Sequence, residues 1–82
     1  MAEFERQDTA HKVLSIIAQK LSIKPDSINE HATLQDLGAD SLAMVDIIMQ
    51  LEEDFNIEIN DEKAESLKNV GDVVDYVHQL RT

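Results

Sequence analysis

At 82 residues, 43% of them hydrophobic and 29% charged, the chain has material for one domain with a thin core and too little for a deep, self-contained active site. Its formal charge of −10 disfavours nucleic acid and anionic membrane as partners, and its hydrophobic share is too high for a natively disordered acidic tail. The absence of cysteine excludes disulfide staples and thiolate metal sites and points to no oxidising compartment.

The start, Met1 to Arg6, contains Glu3 and Glu5 and shows neither a basic n-region nor an Arg-rich transit character, so a cytoplasmic (bacterial) protein is expected, or an organellar one after processing. The first periodic segment sets Ala10, Val13, Leu14, Ile17, Ala18 and Leu21 at helical spacing and predicts a helix over about 8–20. Asp8 is its expected N-cap, Lys20 suits its negative end, and Pro25 blocks continuation. Residues 22–40 then read as a long loop, pinned by the isolated apolar residues Ile28, Leu34 and Leu37.

A second helix is predicted from after Asp40 to about Asp54, since Leu42, Val45, Ile48, Met49 and Leu51 recur at helical spacing with no Gly or Pro between them. Met44, Ile47, Ile48, Leu51 and Phe55 form a second apolar stripe beside the first. So wide an arc must be nearly enclosed by neighbours, or must border a cavity that something apolar can enter. Its longest uninterrupted apolar run, Leu42 to Val45, is far below the roughly 20 residues that span a bilayer, so no membrane insertion is expected.

Asn60 or Asp61 can cap a short helix over 61–66, with Asp61 and Glu62 in its first turn. Asn69 with Asp72 resembles a capping box, and Val70, Val73, Val74, Val77 and Leu80 define a last helix over 70–80. Ile57 and Ile59 alternate like a strand, but one strand would have nothing to pair with. The expected fold is therefore all-α, a four-helix bundle with three longer helices, a short third helix and a long loop between helices one and two, built as one domain over residues 1–82.

From Pro25 to Glu62 there are eleven acids and no Lys or Arg, so one region holds essentially the whole charge excess. Such a field should attract proteins bearing basic patches at salt-sensitive rates. The most informative stretch is Leu37-Gly38-Ala39-Asp40-Ser41-Leu42. Gly38 frees the backbone to turn, Asp40 can cap the second helix, and Ser41 then falls in its exposed first turn, where a phosphate would meet unsatisfied N–H groups and the positive end of the macrodipole. The plainer reading of an Asp-Ser pair is helix-start punctuation alone.

That hexapeptide, followed by Val45 and by Leu51-Glu52-Glu53-Asp54-Phe55, resembles the acyl carrier proteins of fatty-acid synthesis, and the resemblance extends from Val13, Ile16, Ile17 and Leu21 to Asp75-Tyr76-Val77. It implies a carrier that catalyses nothing itself. Ser41 would be the attachment site for 4′-phosphopantetheine, transferred from coenzyme A by a phosphopantetheinyl transferase, with acyl chains carried as thioesters on its thiol. Asp40, Asp46, Glu52 and Glu53 match the carboxylates that meet basic patches on partner fatty-acid synthase and acyltransferase enzymes. Met44, Val45, Ile48 and Ile59 are the residues expected to line the acyl pocket. A monomer is expected, with no specific metal site, although loose divalent binding to the clustered carboxylates is plausible. The chain departs from many relatives in carrying Ala43 where an acid follows the Ser-Leu pair, in a loop about one residue shorter before Leu37, and in extra residues ahead of helix one.

Other chemistries fit poorly. A serine hydrolase would draw its base from His11, His31 or His78, but a nucleophile elbow reads G-x-S-x-G, whereas Gly38 stands three residues before Ser41. His11 and His78 are read as surface residues of the terminal helices and His31 as a loop residue. An EF-hand loop starting at Asn56 would have Asp61 where its Gly belongs and Leu67 where its closing Glu belongs. The alternative from another class is a helical interaction module whose acidic face docks partners and whose Ser41 is never modified. An aminoacyl or polyketide cargo on the same arm is a further alternative.

Overall fold

The computed structural model describes residues 5–81; Met1–Phe4 and Thr82, and with them most of the start read for targeting character, lie outside the described residues. Four α-helices follow in order, α1 (Arg6–Leu21), α2 (Ser41–Phe55), α3 (Asp61–Ser66) and α4 (Val70–Arg81), with a single 3₁₀ turn at Pro25–Ser27. Among the described residues there is no strand, only an isolated antiparallel bridge between Thr33 and Asn69.

The helix ends follow local chemistry. α1 starts earlier than the Asp8 cap implies: Glu5 is the N-cap residue, its carbonyl accepting from Asp8 and Thr9, while Asp8 supplies first-turn negative charge. The helix also ends before Pro25 can act. Ser22 adopts a left-handed conformation (φ 57°), and the Ile23 N–H returns to the Ala18 carbonyl at 2.9 Å, so Pro25 opens the 3₁₀ turn instead. Asn60 caps α3 by accepting from the Lys63 N–H, and the Asn69 side chain accepts from the Asp72 N–H at the start of α4.

The core is aliphatic. Val13, Ile16 and Ile17 from α1, Ile47 and Leu51 from α2, and Val70, Val73, Val74 and Val77 from α4 pack with Ile28, Leu34, Ile59 and Leu67 from the connections. α1 packs mainly on α4 and α2, whereas α3 has no extended interface with another helix. Leu80, expected on the core stripe of α4, is instead exposed, because the bundle ends one turn earlier, at Val77.

The long loop is held by backbone hydrogen bonds as well as by Ile28 and Leu34. Gly71 N–H donates to the Glu30 carbonyl, Val70 N–H to Ala32 and Leu34 N–H to Lys68. This zipper binds the loop to the α3–α4 junction. A Cβ at Gly71 would approach the Glu30 carbonyl oxygen to 3.2 Å, so glycine permits the closest of these contacts. Outside the core, Arg6 joins Glu30 and Asp75 in ion pairs. Thr9, the buried polar residue, bonds through Oγ1 to His78 Nδ1 and accepts from Arg81.

Candidate functional site

The stretch from Leu37 to Ser41 is shaped by three local devices. Gly38 sits at φ +97°, a region that glycine enters without strain and other residues do not. The Ala39 N–H turns back to the Leu34 carbonyl, tying the segment to a buried anchor. Asp40, in extended conformation, accepts the Ala43 N–H on its carboxylate at 2.8 Å and the Met44 N–H on its carbonyl. Ser41 is thus the first residue of α2, and it is exposed. Among the described residues no protein group accepts from the Ser41 or Leu42 N–H, so two helix-start donors remain for an anion.

Ser41 also borders an open hollow of about 940 Å³ that α2 shares with the loop and with α3. Met44, Val45, Ile48 and Ile59, the four residues named for an acyl pocket, all line it, with Leu34, Ala39, Met49, Ala64 and Leu67 completing its apolar wall. Asp40, Glu52, Asp61, Glu65 and Lys68 contribute its polar part. Phosphopantetheine fits this chemistry: an exposed primary hydroxyl and free backbone donors for a phosphodiester, beside a lined hollow for an apolar chain.

The wide apolar arc of α2 divides in a way that periodicity does not reveal. Ile47, Ile48 and Leu51 face the core, whereas Leu42, Val45 and Met49 are 81%, 55% and 56% exposed. Of the two alternatives for so wide an arc, the bordering hollow is present and full enclosure is not: neighbours cover one stripe, the hollow takes part of the arc, and the rest stands in solvent. The signal was available in the acids, since Asp46 and Glu53 are exposed on the same helix.

The four carboxylates read as a docking set are not equivalent. Glu53 is exposed, and Asp46 lies 4.0 Å from Lys20 while remaining largely in solvent. Asp40 is exposed but its Oδ1 is engaged in the helix cap. Glu52 is half-buried, and its Oε2 accepts the Ile59 N–H at 2.8 Å. The histidines are also placed differently from one another. His11 and His31 are exposed, while His78 is half-buried against Thr9 instead of lying on the open surface. Among the described residues no group of three or more His, Asp or Glu is arranged to hold a metal ion. Nor is any helix long and apolar enough to cross a membrane.

The fold and this site define a phosphopantetheine carrier. The sequence profile of the phosphopantetheine attachment site family matches residues 11–77. The chain is 54% identical over 67 residues to acyl carrier proteins from strains of Clostridium perfringens, a match covering 80% of this chain and 88% of each relative. Among solved structures it resembles the acyl carrier protein from Enterococcus faecalis (TM-score 0.78, 33% identity, 94% of this chain and 99% of that one). It also resembles the acyl carrier protein from Thermotoga maritima (TM-score 0.81, 28% identity, 98% and 94%). The chain belongs to the acyl carrier protein family. It carries acyl chains on 4′-phosphopantetheine in fatty-acid synthesis, works with the transferase that loads the arm and with enzymes of that synthesis, and catalyses no step itself.

Proposed function

We propose that residues 1–82 act as one monomeric, cytoplasmic carrier domain in which Ser41 bears the phosphopantetheine, the hollow beside it shelters the acyl chain, and the outer face of α2 docks the partner enzymes. The observation that carries this reading is the shared lining: an exposed serine at a helix start and an apolar hollow meet on one surface. The arm supplies a terminal thiol for thioester formation. The chain's own residues do the rest.

Asp40 fixes where α2 begins and so holds Ser41 outward, in the first turn, where the helix favours a phosphate's negative charge. Met44, Ile48, Ile59 and Leu67 offer apolar contact to an acyl chain, each buried methylene contributing ~0.8 kcal/mol. Leu42 and Met49 stand exposed on α2 with Asp46 and Glu53, a mixed apolar and acidic surface suited to a partner with an apolar depression ringed by Lys and Arg. Asp40 and Glu52 belong to the same acidic region, with one oxygen each engaged internally.

Intact mass after incubation with coenzyme A and a phosphopantetheinyl transferase tests the assignment. One arm's mass is gained by the wild type and none by Ser41→Ala. No mass gain, with Ser41→Ala behaving identically, would favour the unmodified interaction module, and equal gain by both would place the arm on a residue other than Ser41.

A further inference from the structure

Glu52 stands apart from the other α2 carboxylates. It sits in the last turn of α2, half-buried, lining the hollow, with its Oε2 on the backbone N–H of Ile59, seven residues on. Ile59 is buried and lines the same hollow. Between them, Asn56 turns the chain in a left-handed conformation (φ 55°) and the Ile57 N–H returns to the Glu52 backbone carbonyl at 3.1 Å. One residue thus holds both ends of the α2–α3 connection, its carbonyl taking Ile57 and its carboxylate taking Ile59. The following helix, α3, has no extended interface with another helix to hold it in place.

We infer that Glu52 is a positioning residue for cargo: its carboxylate sets Ile59, and through it the α3 wall of the hollow, so that an acyl chain is retained against solvent. The inference rests on the proposed reading of Ser41 and the hollow. A carboxylate gives a charge-assisted acceptor, and removing it leaves the Ile59 N–H without its partner in a partly buried place. Ile59 then loses its backbone anchor and is held by the packing of its side chain alone, while the core residues of α1, α2 and α4 keep their packing.

The experiment uses two readouts on the full chain. In the unloaded protein, hydrogen exchange at the Ile59 amide is slow in the wild type and in Glu52→Gln, which keeps a carbonyl acceptor, and fast in Glu52→Ala. In protein loaded with an octanoyl or an acetyl thioester, cleavage by hydroxylamine reports exposure of the cargo. The octanoyl form is cleaved more slowly than the acetyl form in the wild type. Glu52→Ala accelerates octanoyl cleavage by roughly five- to tenfold, in line with the net worth of one ordinary hydrogen bond, and Glu52→Gln stays within about twofold of wild type. Arg6→Met, which loosens the molecule at the Glu30–Asp75 staple, leaves both readouts unchanged. If octanoyl is protected in the wild type but Glu52→Ala behaves identically, the role of Glu52 is overturned while the hollow stands. If octanoyl and acetyl forms are cleaved alike in the wild type, the hollow does not shelter cargo, and the parent reading falls together with the inference.

Discussion

The carboxylate of Asp40 accepts the backbone N–H of Ala43 at 2.8 Å, and this one bond decides that α2 starts at Ser41. Asp40→Ala removes the acceptor and frays the first turn, at a cost of ~1 kcal/mol. Asp40→Asn keeps an oxygen in place and costs a few tenths of that. Urea denaturation midpoints of the two variants check the order. Loading of Ser41 by the transferase slows in the alanine variant, whose first turn no longer presents a fixed backbone.

Arg6 donates from Nε to Asp75 at 2.6 Å and from Nη2 to Glu30 at 2.7 Å, joining the start of α1 to α4 and to the long loop. Its guanidinium is raised above the ordinary arginine range, first by the hydrogen bond to Glu30 and then by that to Asp75. A cation whose folded pKa is raised stabilises fully below its unfolded value, and that contribution fades only as pH climbs through the higher folded value. Its share is therefore constant from neutral into alkaline solution. The pair is substantially exposed, so screening limits the loss in Arg6→Met to no more than ~1 kcal/mol. That loss shrinks in 1 M salt, measurable as converging melting temperatures of the two proteins.

The eleven acids between Pro25 and Glu62, with no Lys or Arg among them, repel one another in the folded state. Added NaCl raises the melting temperature at neutral pH, and Mg²⁺ does so at lower concentration because a divalent ion screens more strongly. A melting temperature indifferent to both contradicts this account of the charge.

Leu42 and Met49 make their contribution outside the fold, being exposed on α2. Leu42→Ser and Met49→Ser change the unfolding free energy by no more than ~0.5 kcal/mol, as surface substitutions do. Each weakens binding to a partner enzyme of fatty-acid synthesis by about tenfold, the order expected for an apolar anchor in an interface. Calorimetric titration at two salt concentrations separates this effect from the acids, whose contribution alone falls with salt.

The all-helical bundle was legible because the chain speaks in strong local signals. Helical spacing marks α1, α2 and α4, and side-chain caps at Asp40 and Asn60 mark where α2 and α3 start. Ser41 was legible for the same reason, since glycine, cap and serine form one compact signal. What periodicity could not resolve was tertiary. It reports that α2 is apolar over a wide arc, but which stripe is covered depends on where α1, α4 and the loop lie. Hence Leu42, Val45 and Met49 stand in solvent, and Leu80 lies beyond the end of the core. Likewise, nothing local announces that Glu52 reaches Ile59, that Thr9 meets His78, or that residues 30–34 zip onto 68–71. Gly71, a glycine in the first turn of a helix, was the one available hint of that close approach.

The most direct measurement is fragmentation mass spectrometry of the protein after enzymatic loading from coenzyme A, with every serine resolved. The account predicts a single arm, borne by the peptide that contains Ser41, with Ser15, Ser22, Ser27 and Ser66 unmodified. An arm found on any of those four, or a fully folded protein that accepts none, would contradict it.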